Sequence, residues 1–349
     1  MSTHVEFLII GQGIAGTMVA QTLEKAGKSF LILEDDHAHS SSIVAAGTIN
    51  PVTGRKYVKT WMADTILPWA DQTYAQISEN IGATIHRKLP IIRSLHNIAE
   101  ENAWLGRASD PAYADYISPQ AAPGKIAEQV NVPFAFGEIT GSSQVNLKKL
   151  IETCKSLWLS SGFYRSMVFD YQNVHIKNGG RSFQYDDIHT ENLIFCEGHQ
   201  VMQNPFFNYL EFDPVKGEAL IIHIPDGFEK SLRDKTFITP LPAKDQYWCG
   251  SGYEKNYTDK KNVSAIGRSQ LEAQINEILK VPYEIVDHIA GIRPSTKKRR
   301  PFIGKHPEYE NMYLFNGLGT KGSSLAPYFA HQFVGWLLGN NGLHPEVNF

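Results

Sequence analysis

The 349-residue sequence predicts an α/β fold in two domains, one of them discontinuous, on three observations. A strand, glycine turn, helix and second strand occupy Val5 to Glu34, a second strand–glycine–helix pattern begins at Met312, and the middle of the chain carries many short alternating segments. Parallel units at both ends with antiparallel segments between them specify a Rossmann-like nucleotide-binding domain interrupted by a mixed or antiparallel-sheet substrate domain. The expected boundaries are 1–82, 141–212 and 286–349 for the first domain, and 83–140 with 213–285 for the second.

The opening stretch, VEFLIIGQGIAGTMVAQTLEKAGKSFLILE, is the most informative. Its apolar run is long enough only for a buried strand, and Gly11, Gly13 and Gly16 follow in the spacing G-x-G-x-x-G. Gly11 allows the tight turn, Gly13 lets backbone approach a pyrophosphate, and Gly16 lets helix and strand pack closely. Ile14, Met18, Val19 and Leu23 then share a helix face that ends at Gly27. That helix offers free N–H groups and a positive dipole end to a phosphate. Glu34, 18 residues after Gly16, closes the second strand where a ribose hydroxyl is met. An acid there repels a 2′-phosphate, which disfavours NADP.

Composition excludes several function classes. With 42% hydrophobic and 20% charged residues the chain is an ordinary globular one, long enough for two cores. A net charge of −3 makes no global electrostatic case for nucleic acid or an anionic membrane. Cys154, Cys196 and Cys249 are odd in number and widely spaced, which reads as reduced core thiols and a cytoplasmic setting, not a disulfide frame. No window is apolar enough for a membrane span, and the scattered histidines contain no ligand pair, so no metal is expected.

Along the chain, a long polar loop, DDHAHSSSIVAAGTINPVTGRK, follows Glu34. Ser40 to Ser42 are placed to cap a helix aimed at the nucleotide, and the small Ala45, Ala46 and Gly47 suit backbone passing close to a flat ring. An amphipathic helix is expected over Thr60 to Asn80, a strand over Thr84 to Ile92, and a short helix around Ala99 to Leu105. Asp110 to Pro133, with four prolines, reads as irregular. A helix from Leu147 to Gly162 precedes a hairpin turning at Asn178-Gly179 and a buried strand, Asn192 to Cys196. Val215 to Ile224, Thr236 to Leu241 and Gln246 to Gly252 are β segments of the second domain, and Val263 to Leu279 a helix. On that sheet Tyr247 and Tyr253 are candidate pocket residues, since a phenol hydroxyl can orient an amino group.

Near the C-terminus, Gly317, Gly319 and Gly322 repeat the glycine spacing before a helix over Ser323 to Leu338. Too little chain follows for another dinucleotide unit. The economical reading is a helix N-terminus, with Lys321 beside it, aimed at a developing negative charge. A nicotinamide enzyme needs one such loop; a flavin has a second requirement, because its N1–C2=O edge becomes anionic on reduction. The residues therefore tilt toward FAD, with an NAD-dependent dehydrogenase as the alternative.

The chain also resembles the flavin-dependent amine oxidases of the D-amino-acid oxidase and glycine oxidase superfamily. The matching pieces are GQGIAG with Glu34, SSIVAAGTINP, the strand ending at Gly198, DPVKGE, GIRPSTKKRRPFIGKHP and NMYLFNGLGTKGSSLAP, which together span nearly the whole chain. The resemblance implies noncovalent FAD. Its pyrophosphate would lie at Gly11, Gly13, Ile14, Ala15 and Gly16, its ribose at Glu34 and Asp35, and its adenine near Val168. Ser41, Ser42, Ala45, Ala46 and Gly47 would lie along the isoalloxazine, and Gly198 with Gly317, Gly319, Thr320, Lys321 and Gly322 would complete the cofactor site.

It further implies that Arg293, of the G-x-R-P element, touches cofactor and pairs with a substrate carboxylate, a task its planar fork suits. The catalytic set is then Arg293, Lys321 and Tyr247. The expected reaction oxidises the C–N bond of a small amino acid or N-substituted amine, by hydride transfer to flavin N5, with hydrolysis of the imine. The chain departs from the superfamily at Cys196-Glu197-Gly198-His199, at Thr320-Lys321 where glycine oxidases carry an arginine, and at Lys297-Lys298-Arg299-Arg300. That basic run reads as a solvated turn or as a lip for a partner, and a tRNA-linked amine stays open because an amine oxidase module of a tRNA-modifying enzyme shares the fold.

Overall fold

The computed structural model describes residues 2–35, 40–257, 262–340 and 342–349. The chain divides into two compact units: Met1–Val44, Leu147–Val215 and Ile292–Phe349 form unit 1, and Ala45–Asn146 with Lys216–Gly291 form unit 2. Several stretches fall elsewhere than the sequence expectation had them. Residues 45–82 and 141–146 go to unit 2, because Thr48–Ile49 pairs antiparallel with Ser143–Val145 and the Gly47 carbonyl accepts from the Val145 N–H. Residues 286–291 stay with unit 2 because strand Glu284–Arg293 is an edge of its large sheet. Residues 213–215 join unit 1, where the Asp213 N–H donates to the Ser295 carbonyl.

Unit 1 is built on β1 (Thr3–Ile10), α1 (Ile14–Lys25) and β2 (Phe30–Glu34). The wholly buried Phe7 to Ile10 lies between β2 and strand Ile188–Phe195, both parallel to it. Such two-sided burial is why the run is continuously apolar instead of alternating. Strand Ile188–Phe195 continues the parallel order to Met312–Asn316, which takes Phe302–Lys305 as an antiparallel neighbour, while its first half pairs with the hairpin Val174–Lys177 and Ser182–Tyr185. The residues at its turn, Asn178 and Gly179, both have positive φ, as a two-strand hairpin with this twist requires. Helix α1 ends at Gly27, whose φ of +68° lets its own N–H and that of Lys28 turn back onto the Glu24 and Leu23 carbonyls.

Unit 2 holds an eight-stranded mixed sheet in the order Glu284–Arg293, Val215–His223, Gln246–Gly250, Phe237–Pro240, Ser231–Arg233, Ile91–Leu95, Ala135–Ile139, Ile117–Ser118. One face of it, with Ile92, Leu220, Ile222, Leu232 and Ile238, forms an apolar core with Leu271, Ile275 and Ile278 of helix Ala265–Ile278. The long amphipathic helix runs over Ala63–Asn80 and carries Pro68 in its second turn, and the next is Ile98–Ala108, capped by the Asn97 side chain accepting from the Glu100 N–H. The proline-rich stretch expected to be irregular contains a 3-10 turn, Pro111–Tyr113, and a short helix, Lys125–Gln129.

The tightest constraint in unit 1 is at Gly16, where an added Cβ would sit 1.9 Å from the Gly11 carbonyl oxygen. Gly16→Ala forces turn and helix apart and is expected to cost about 3 kcal/mol or more. Urea denaturation of the variant beside the parent checks this; an unchanged midpoint would show that the approach is not rigid.

Candidate active site

The carboxyl ends of β1, Ile188–Phe195 and Met312–Asn316 lie side by side, and the turns of Gly11, Gly198 and Gly317 sit just beyond them. Ligands of open α/β sheets bind outside such strand ends. Gly11 has a φ of +98°, and a Cβ there would meet the Cys196 carbonyl oxygen at 2.7 Å. Gly13 opens α1 without a side-chain cap of its own, and a Cβ on it would come 3.2 Å from the Ser42 hydroxyl. That hydroxyl accepts from the Ile14 N–H at 3.0 Å. Ser42 therefore caps α1 from another segment, and its own helix, Ser41–Val44, is only one turn. Ile14 and Ala15 are buried in the first turn of α1.

Glu34 ends β2 and reaches back across the turn, where its Oε2 accepts from the Gln12 N–H at 2.6 Å. Burial pushes its carboxyl up to about 8, while the bond from Gln12 favours the anion and opposes part of that rise. Gln12 is fully buried and its side chain donates to the Ile151 carbonyl, so the turn is tied on both sides. Asp35 is exposed, and its carbonyl accepts from the Ser166 hydroxyl. The next residues run alongside: the Met167 N–H donates to the Glu34 carbonyl, and Val168, 72% exposed, stands beyond it. The histidines of the polar loop lie outside the described residues.

The second glycine turn packs on the first. A Cβ on Gly322 would touch Ile14 at 3.0 Å, and one on Gly317 would meet Thr296 at 2.7 Å. Gly317 and Gly319 have φ of +81° and +54°. The Gly319 N–H donates to the Pro294 carbonyl, and Ser295 lies 3.4 Å from where a Gly319 Cβ would be. The structure thus brings Arg293, at the end of its strand, beside the Gly317 to Gly322 loop. Thr320 is exposed on that loop. Lys321 is the N-cap residue of helix Gly322–Leu337, and burial pulls its ammonium down to about 8.

Gly198, with a φ of +58°, joins the same cluster: its carbonyl accepts from the Asn316 side-chain amide at 2.9 Å. Between it and Cys196 sits Glu197, which the sequence marked only as part of a motif. Its carboxylate accepts from the Tyr171 hydroxyl at 2.6 Å and the Asn204 amide at 2.8 Å, and burial still raises it to about 7. Nothing in the local pattern announces Glu197, Gln12 or Asn316, since all three are ordinary polar residues next to strand ends.

In unit 2, Gly47 has a φ of +68° and a Cβ there would fall 1.8 Å from the Val145 carbonyl oxygen. The Ala46 carbonyl accepts from the buried Gln144 side chain, whose own carbonyl receives Arg87 through Nε and a terminal nitrogen at 3.0 and 2.7 Å. Arg87 also donates to the Pro240 carbonyl. Ala45 is exposed, Ala46 half-buried. Gln144 and Arg87 are the residues that hold this loop, and sequence reasoning missed both.

Tyr247 is corrected by the structure. It is 3% exposed, packs with Phe228 in the core against helix Ala265–Ile278, and its hydroxyl donates to the Phe228 carbonyl at 2.7 Å. Alternation along Gln246–Gly250 gives Tyr247 and Cys249 to that core, so it is Trp248 that faces the other way. Tyr253 is exposed.

The basic run Lys297 to Arg300 is a turn in which Thr296 and Arg300 exchange hydrogen bonds. Lys297 pairs with Glu211 at 2.6 Å and Arg300 with Glu346 at 2.7 Å, which neutralises half of it. All three cysteines are buried free thiols, and no described helix is long and apolar enough to cross a membrane.

Two outcomes follow from this geometry. A carboxyl raised from about 4.5 to about 8 binds more protons folded than unfolded, so stability is full below the ordinary range and is lost as pH rises through 8. The cofactor-free protein with Glu34→Gln should therefore lose less stability than the parent between pH 5 and 9; parallel curves by urea denaturation would contradict it. Tyr247→Phe should cost about 1–2 kcal/mol from the unpaired Phe228 carbonyl and leave turnover within twofold; a large loss of turnover at unchanged stability would return Tyr247 to the site.

The family model described as FAD dependent oxidoreductase matches residues 6–336. The chain is 23% identical to glycine oxidase of Bacillus subtilis, over 100% of this chain and 95% of that one. Among solved structures it is similar to glycine oxidase of Bacillus cereus, with a TM-score of 0.80, 18% identity and coverage of 97% and 96%. It is also similar to iminodiacetate oxidase of Chelativorans sp. BNC1, with a TM-score of 0.79, 19% identity and 97% of each chain covered. The family decides the choice of dinucleotide that the first glycine turn left open, and the nicotinamide alternative falls. The chain belongs to the FAD dependent oxidoreductase family and is an FAD-dependent enzyme.

Proposed function

We propose that the protein oxidises the C–N bond of a small amino acid or N-substituted amine bearing a carboxylate, the imine product then hydrolysing in water. The observation that carries this reading is the Pro294–Gly319 hydrogen bond, which fixes Arg293 beside the second glycine loop. FAD suits unit 1: a helix α1 opened by Gly13, which carries no side chain, an acid at the end of β2, and turns that no side chain could share. Gly11, Gly13 and Gly16 would hold its pyrophosphate, Glu34 its ribose, and Gly319 to Gly322 its pyrimidine edge. When bound, it supplies the hydride acceptor.

The chain's own residues then have three tasks. Arg293 takes the substrate carboxylate in a bidentate grip, which sets the C–H to be broken and restricts rotation. The start of helix Gly322–Leu337, with Lys321 at its cap, offers positive potential to charge that develops during the reaction. Because burial draws Lys321 down to about 8, this assistance is present at neutral pH and fades above it. No strong base is called for: an amine that arrives deprotonated already favours hydride loss. The relatives are oxidases of glycine and of iminodiacetate, which supports a carboxylate next to the amine carbon. No observation favours an RNA-linked substrate, since half of the basic run is paired with Glu211 and Glu346.

The test is anaerobic reduction of the FAD-loaded protein by glycine, sarcosine, proline, iminodiacetate and D-amino acids. At least one should bleach the flavin. Arg293→Leu should raise KM for it by about a hundredfold, the worth of a charge-assisted bidentate contact. Reduction by none of the panel, or unchanged kinetics in Arg293→Leu, would overturn the reading.

A further inference from the structure

Unit 2 contains two arginines placed against each other on one face of its sheet. Arg93 and Arg233 are direct partners on the adjacent parallel strands Ile91–Leu95 and Ser231–Arg233. Their neighbours Ile92 and Leu232 belong to the apolar core, so both guanidinium groups lie on the opposite face. Both are half-buried, and the Arg93 Nε is fully enclosed without a hydrogen-bond acceptor. Among the described residues neither has a carboxylate within 4.0 Å.

The nearby acids are already engaged: Asp234 accepts from the Lys235 N–H at 2.6 Å and lies 3.5 Å from His96, and Glu100 accepts from the His96 N–H. Burial and the neighbouring charge of Arg93 disfavour the Arg233 cation, and the Asp234 charge offsets only part of this. Like charges facing one another across a pair of strands destabilise a sheet, and a half-buried guanidinium is kept without an acid only at a cost.

The surroundings hold Arg93 in place. Its guanidinium lies over the Tyr57 ring at 5.6 Å, and Tyr57 stacks edge-on with Trp104. Trp104 in turn sits over Gly137, the partner of Arg93 on the next strand, where a Cβ would come within 2.3 Å of its ring. The sheet face is also the one that carries Thr239, Ser231 and Trp248. Ser231 and Thr239 share a hydrogen bond of 2.7 Å, and Thr239 meets Gln144, which holds the Ala46 loop. The arginine pair is thus on the same face of the unit 2 sheet as the Thr239 hydroxyl that meets Gln144.

We propose that Arg93 and Arg233 form an oxyanion-binding site within unit 2, one that takes a carboxylate ligand, and a dicarboxylate in preference to a monocarboxylate. Two forked donors on adjacent strands match a carboxylate, each able to bind it in the bidentate manner.

Thermal denaturation of the FAD-loaded protein tests this. In buffer of low ionic strength, malonate should raise the melting temperature of the parent more than acetate at equal ionic strength. Arg233→Gln and, separately, Arg93→Gln should each abolish that difference, and Arg233→Gln should itself melt higher than the parent without malonate. No difference between malonate and acetate in the parent, or a malonate response of the same size in both variants, overturns the site.

Discussion

Backbone approaching backbone, with no side chain between, is the constraint on which the chemistry of unit 1 depends. At the carboxyl ends of three parallel strands the Gly11 and Gly16 backbones come within a distance that a single methyl group would fill, while the Gly317 and Gly322 backbones come as close to the side chains of Thr296 and Ile14. Parallel strands deliver their ends to one edge, and helices starting there point their N–H groups outward. The anion-binding character of the edge is thus a consequence of strand direction before any charged side chain is considered. The charged residues refine it: Glu34 is held on the turn by Gln12, and Lys321 sits at the cap of the second helix.

How polar groups are held here also explains which of them titrate unusually. At Glu34 and Glu197 burial outweighs the hydrogen bonds that favour the anion, and both carboxyls rise. By contrast Glu218 of unit 2 is held below the ordinary range, because the bonds from Ser264 and the ammonium of Lys216, 3.2 Å away, together outweigh its burial.

Much of unit 1 was legible in the sequence because its signals are local. Strand, turn, helix and acid follow each other within Val5 to Glu34, and the second turn repeats the spacing. What escaped depends on partners far apart in the chain. Ser42 caps a helix it does not belong to, and Gln144 and Arg87 hold the Ala46 loop through bonds spanning 98 and 57 positions. The pairing of Arg93 with Arg233 exists only through the register of two strands that no periodicity connects. Tyr247 failed for a different reason: alternation in Gln246–Gly250 separates two faces but does not say which is core, and helix Ala265–Ile278 covers the one that carries Tyr247 and Cys249. The domain boundaries missed for the same kind of reason, since the two-residue strand Thr48–Ile49 has too little pattern to betray its partner.

The most direct measurement of the central claim is titration of the cofactor-free protein with FAD, followed by flavin fluorescence and absorbance, with NAD in a parallel cell. The account predicts saturation at one FAD per chain, with a shifted visible spectrum and no competition from NAD. Failure to bind FAD, or displacement of FAD by NAD at comparable concentration, would contradict it.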